Sequence, residues 1–103
     1  MIKKIIILVF ILGLQIFAQL NKSNCTFDGI PLYGKVKFVD HFEDFTIQIV
    51  NNFEDIKIEL VENFPDECGK WQIVDYFPDF KVKIVDHFPD IKVKFVKNFP
   101  GIR

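Results

Sequence analysis

His41 and His87, each within Asp-His-Phe, and the carboxylate pairs Glu43/Asp44, Glu54/Asp55 and Asp66/Glu67 are the side chains whose types could carry chemistry. An imidazole beside a carboxylate suits proton transfer or metal ligation. Paired carboxylates suit acid–base hydrolysis or calcium binding. The spacing supports neither. Both histidines and all three pairs lie in segments that recur along the chain. Divided into two triplets of units, the chain places Tyr76 opposite His41 and Asn52 opposite His87, so the histidine position also takes Tyr and Asn. The carboxylates recur because the unit recurs, in segments where Asp favours turns. Beyond residue 18 there is one serine, Ser23, and one arginine, Arg103. A Ser-His-Asp machine or a guanidinium clamp for phosphate therefore has no material. We expect no catalytic residue, no metal site and no cofactor, and we read the chain as not an enzyme.

Charge is sorted by position. Lys35, Lys37, Lys57, Lys70, Lys81, Lys83, Lys92 and Lys94 occupy alternating positions of the repeated segments, with Glu59 the one acid among them. Twelve of the 14 acidic residues follow those segments instead. One reading is a solvated face with cross-strand and strand-to-turn ion pairs. The other is a contact surface for an anionic partner, formed by Lys35, Lys37, Lys81, Lys83, Lys92 and Lys94.

Cys25 and Cys68 are the two cysteines. Neither has a Cys-x-x-Cys partner, which removes support for redox catalysis or structural zinc. In an exported chain an even count points to a disulfide between them, with paired buried thiols as the alternative.

The segments that must position these residues begin after a leader. Met1-Ile2-Lys3-Lys4 is followed by apolar residues from Ile5 to Leu14 and a small residue, Ala18, the pattern of a secretory signal. Gln15 and Gln19 end the run short of the roughly 20 residues of a membrane span. We expect residues 1–18 to be a cleaved signal, 19–34 an N-terminal segment, and 35–103 a repeat domain in the periplasm or outside the cell. Removing 1–18 leaves 11 basic and 14 acidic residues, a net charge of −3. That charge offers no general attraction to nucleic acid.

From Lys35 six units begin at Lys35, Thr46, Lys57, Lys70, Lys81 and Lys92. Each has apolar residues at its second and fourth positions, valine at its fifth and phenylalanine at its eighth. The phenylalanines, Phe42, Phe53, Phe64, Phe77, Phe88 and Phe99, are spaced 11, 11, 13, 11 and 11 residues apart. Alternation with β-branched and aromatic residues predicts strands, and the Pro, Asn and Asp that follow predict turns. The class is all-β: six eleven-residue strand-turn units, three plus three, divided at Glu67-Cys68-Gly69. The fifth-position valines share a face with the lysines, so a second layer or other loops must cover them. The phenylalanines, with Phe45, Ile56, Phe80, Ile91 and Ile102, are expected to pack as that cover. A β-solenoid and a closed sheet built from two repeat halves both satisfy this periodicity.

Cys68-Gly69-Lys70-Trp71-Gln72-Ile73-Val74-Asp75, then Phe80-Lys81-Val82-Lys83-Ile84-Val85 and the closing Phe99-Pro100-Gly101-Ile102-Arg103, resemble the 7(1) septoil knot family of small bacterial domains. The resemblance runs from about Cys25 to Arg103. It implies a knotted backbone; it implies no activity, so no functional residue carries over from the family. The functional expectation is an exported structural or binding module with an extracellular or periplasmic protein or polysaccharide as partner. The alternative is a small secreted effector acting on competing cells.

Overall fold

The computed structural model describes residues 19–102; the expected signal, 1–18, lies outside the described residues. Among the described residues there are ten strands and no helix. Leu20–Asn21 (β1), Thr26–Phe27 (β2) and Ile30–Pro31 (β3) form a small antiparallel sheet. Gly34–Phe38 (β4), Phe45–Ile49 (β5), Ile56–Leu60 (β6), Lys70–Ile73 (β7), Phe80–Ile84 (β8) and Ile91–Phe95 (β9) are the six repeat strands. Gly101–Ile102 (β10) pairs antiparallel to β6.

The six repeat strands close into an all-parallel barrel. Around it the order is β4, β8, β5, β9, β6, β7 and back to β4. Strands of the first triplet alternate with strands of the second, so every barrel strand has both its barrel neighbours in the other half of the chain. The register explains how. In β8, Phe80, Lys81 and Val82 pair with β4, while Val82, Lys83 and Ile84 pair with β5. Phe38 and Phe45 thus flank the same residue, Val82, from opposite sides. Parallel strands ordinarily need a crossover of a dozen residues or more. Here a loop has only to step across one strand, roughly 10 Å at two inter-strand spacings, and residues 39–44 suffice.

The same step recurs. Residues 50–55 cross β9 at Val93, 74–79 cross β4 at Val36, 85–90 cross β5 at Ile47, and 96–100 cross β6. Residues 61–66 cross β7, because Pro65 and Asp66 come to lie beside Tyr33, Gly34 and Asp79 at the start of β4. Two extra residues then turn the chain back into β7, which is the structural content of the 13-residue spacing. The crossings pass outside the barrel: Gln48, outward on β5, donates from Nε2 to the carbonyl of Asp86 in the loop above it at 2.9 Å.

Alternation along each strand sends the second-position residues, Val36, Ile47, Ile58, Trp71, Val82 and Val93, into the core, all fully buried. Each such burial stabilises by about 2 kcal/mol. Phe45, Ile56, Phe80 and Ile91, which precede the repeat's first lysine or threonine, are buried at the end of the barrel where the strands begin. The N-terminal segment closes that end. Phe27 and Leu32 are buried there, the Phe27 and Phe45 rings lie 5.5 Å apart, and Trp71 Nε1 donates to the Leu32 carbonyl at 3.1 Å. A Cys25–Cys68 disulfide ties this cap to the chain between the triplets.

The expected cover is corrected: Phe45, Ile56, Phe80 and Ile91 line the core instead. The eighth-position phenylalanines do not cover the second face; they are 79–98% exposed. The loops' own backbone does the covering, and the fifth-position valines donate their N–H groups to the crossed strands, as Val39 does to Val82 at 2.9 Å. The fourth-position residues point inward but stand where all six strands end. At that end, which none of the other described strands covers, Ile49, Leu60, Ile73 and Ile84 remain 47–51% exposed.

Candidate functional site

The geometry singles out the tips of the six loops. At each tip the phenylalanine has positive φ: 64° at Phe42, 61° at Phe53, 58° at Phe64, 54° at Phe77, 53° at Phe88 and 59° at Phe99. A bulky L-residue there costs about 1–2 kcal/mol relative to the right-handed region. Glycine or asparagine is the ordinary occupant. The chain instead places an aromatic ring at this strained position six times and leaves each ring in water.

Four of the six loops are anchored at their far ends by an aspartate side chain. Asp44 Oδ2 accepts from the Lys81 backbone N–H at 2.7 Å, Asp55 Oδ2 from Lys92 at 2.8 Å, and Asp79 Oδ2 from Lys35 at 2.8 Å. Asp90 Oδ2 accepts from the Thr46 N–H at 2.8 Å and from its hydroxyl at 3.1 Å, while the Asp90 N–H donates to Thr46 Oγ1 at 2.9 Å. The backbone N–H groups of Asp44, Asp55 and Asp79 also bond carbonyls of the crossed strands at 2.7–2.8 Å. The sequence predicts local turn bonds for these aspartates. Their partners are 37 or 44 residues away.

The lysines proposed as a contact surface lie in pairs on β4 (Lys35, Lys37), β8 (Lys81, Lys83) and β9 (Lys92, Lys94), with β5 between β8 and β9. Lys35 and Lys92 are exposed and the other four half-buried. Lys37 pairs in register with Lys81, and Lys57 with Lys94, so at these positions the cross-strand neighbour has the same charge. Glu54, which is buried, shares a pocket with Lys57 and Lys94. Lys70 Nζ pairs with Glu67 Oε2 at 2.9 Å. The hydrogen bond and charge of Glu67 raise the Lys70 pKa above its ordinary value.

His41 and His87 are exposed on loops 39–44 and 85–90, and the His87 ring lies 6.4 Å from that of Phe88. Among the described residues no three His, Cys, Asp or Glu side chains gather as metal ligands do. A groove of about 400 Å³ between cap and barrel is lined by Ile30, Pro31, Tyr33, Pro65, Asp66 and Asp79, among others.

The sequence predicts all six phenylalanines to pack as cover over the second face, and the structure leaves them in water. A partial signal for their position was present: four of them precede proline, at Pro65, Pro78, Pro89 and Pro100. Proline disfavours the right-handed α region for the residue before it, which marks a turn without revealing its handedness.

The family model of the 7(1) septoil knot domain matches residues 29–103. The chain is also 60% identical over 52 residues to an uncharacterized protein, slr1025, of Synechocystis sp.. That stretch is 50% of this chain and 46% of the relative, so the chain spans about half of that protein's length. Two triplets of strands alternate around one barrel, and each carries its loops outside the strands of the other. With the match over most of its length, this chain belongs to the 7(1) septoil knot domain family.

Proposed function

We propose that this chain is an exported, non-enzymatic binding module whose contact surface is the ring of loop tips. The observation that carries this reading is the six exposed phenylalanines held at positive φ. Each is strained and each is wet, so none repays its position by packing in its own chain. Backbone strain that recurs without a structural return points to function, and exposed aromatic residues suit interfaces. Export is supported by the leader pattern in residues 1–18 and by the Cys25–Cys68 bond, which suits an oxidising compartment. The lysine pairs on β4, β8 and β9 lie partly under the loops, where they serve as a secondary rim.

The test is retention on envelopes isolated from the producing cells, comparing the protein with a variant carrying Phe→Asn at all six tips. Asparagine tolerates the backbone conformation while removing the ring. Retention of the first and release of the second is the expected result. Equal behaviour of the two, bound or free, counts against the tips.

A secreted effector is the second reading. It is favoured by the disulfide and by the interlaced halves, which would slow extracellular proteolysis. Growth of competing strains that is unaffected by purified protein would remove it.

A further inference from the structure

We infer that the loop tips recognise a neutral polysaccharide, a reading that rests on the tips being a contact surface at all. Each exposed ring is immediately preceded by an exposed planar side chain able to hydrogen-bond. The pairs are His41-Phe42, Asn52-Phe53, Asn63-Phe64, Tyr76-Phe77, His87-Phe88 and Asn98-Phe99. No aliphatic residue occupies that position. A flat aromatic face takes the C–H face of a pyranose, and a neighbouring imidazole, amide or phenol takes its hydroxyls, since each can donate and accept. Six such pairs on one rigid barrel let weak individual contacts add through effective concentration.

Charge decides against anionic occupants and against a second copy. Five of the six loops are net acidic, residues 96–100 with Lys97 being the exception. Asp40, Glu62, Asp75 and Asp86 lie two positions before their phenylalanines. Acidic tips repel an anionic membrane or an anionic polymer, and they repel the tips of a second copy. The loops also cross all six barrel strands in turn, so the tips are distributed around the barrel and a flat bilayer meets only some of them. A neutral, hydroxyl-rich chain meets neither obstacle.

The experiment is co-sedimentation of the purified protein with amorphous cellulose and with colloidal chitin, whose loosened chains can follow the barrel's curve, beside vesicles of phosphatidylcholine and phosphatidylglycerol. The expected result is retention on at least one of the two polymers and none on vesicles. Phe53→Asn, Phe64→Asn and Phe88→Asn combined should weaken that retention by roughly tenfold or more through lost multivalency, with the unfolding midpoint preserved. Retention should persist at about 0.5 M salt, because it does not depend on ion pairing. Absence from both polymers, sedimentation with vesicles, or retention indifferent to the three substitutions overturns the inference. Envelope retention that needs the phenylalanines, alongside absence from both polymers, leaves the contact surface standing and removes the polysaccharide. Retention that never needs them removes both.

Discussion

A phenylalanine in this chain has one of two fates, set by its place in the repeat. Phe45 and Phe80 are 2% exposed, with rings 5.5 Å apart, whereas Phe88 is 98% exposed. Phe45→Ala should therefore lower stability by about 3–5 kcal/mol, measured by chemical denaturation. The aspartates divide in the same way. Asp90→Ala removes the acceptor for the Thr46 N–H and hydroxyl, and is expected to destabilise by about 1.5–2 kcal/mol, the low end of the range for bonds to charged groups. Asp40→Asn, at an exposed position on a loop that Asp44 already anchors, should stay within about 0.5 kcal/mol. Equal losses for the two would show that the anchoring bonds do not matter. For Lys70 the sign is fixed by the raised pKa. The pair with Glu67 contributes fully below the unfolded lysine value and is lost as pH rises through the higher folded one. Its signature belongs in alkaline titration.

Among the elements, the cap and the junction between triplets bear the tightest constraints. Cys25 and Cys68 are 43 residues apart in sequence. Closing a loop of that length stabilises by about 4 kcal/mol in the chain-entropy model, so Cys25→Ser with Cys68→Ser should lower stability by up to that amount. Hydrogen exchange should then show the amides of β2 and β3 losing protection before those of β5 and β9. At Gly69, φ is +84° and an added Cβ would stand 2.6 Å from the Lys57 carbonyl and 2.8 Å from the Gly101 nitrogen. Three backbone segments meet there. Gly69→Ala should destabilise by several kcal/mol or prevent folding, seen as loss of the cooperative thermal transition. Much at this scale was legible in the chain: strands from the alternation Lys81-Val82-Lys83-Ile84, the three-plus-three division from Glu67-Cys68-Gly69, the bond from two cysteines. The pairing was not. Whether Val82 lies beside Phe38 and Phe45 depends on partners some 40 residues away, and alternation carries no information about which strand is neighbour to which. The exposed end was hidden for the same reason, since Ile84 reads as inward and is inward, yet stands where the barrel stops.

At the scale of the molecule, two halves of the chain interleave. Each of β4, β5 and β6 has its barrel neighbours among β7, β8 and β9, and the reverse holds. Residues 19–66 and 67–103 expressed separately should each lack a cooperative transition, whereas a folded half would contradict the interleaving. Parallel partners so distant in sequence also make folding slow, with refolding expected on the scale of seconds or longer. What the interlaced barrel holds in place is a set of six aromatic tips that its own packing does not use. The most direct measurement of that claim is the thermal unfolding midpoint of the protein with Phe→Asn at all six tips. A midpoint equal to or above that of the parent is expected, because strain is relieved and no packing is lost. A fall of ten degrees or more, roughly the loss of a buried aromatic side chain in a domain this small, would show that the phenylalanines hold the fold together and are not its contact surface.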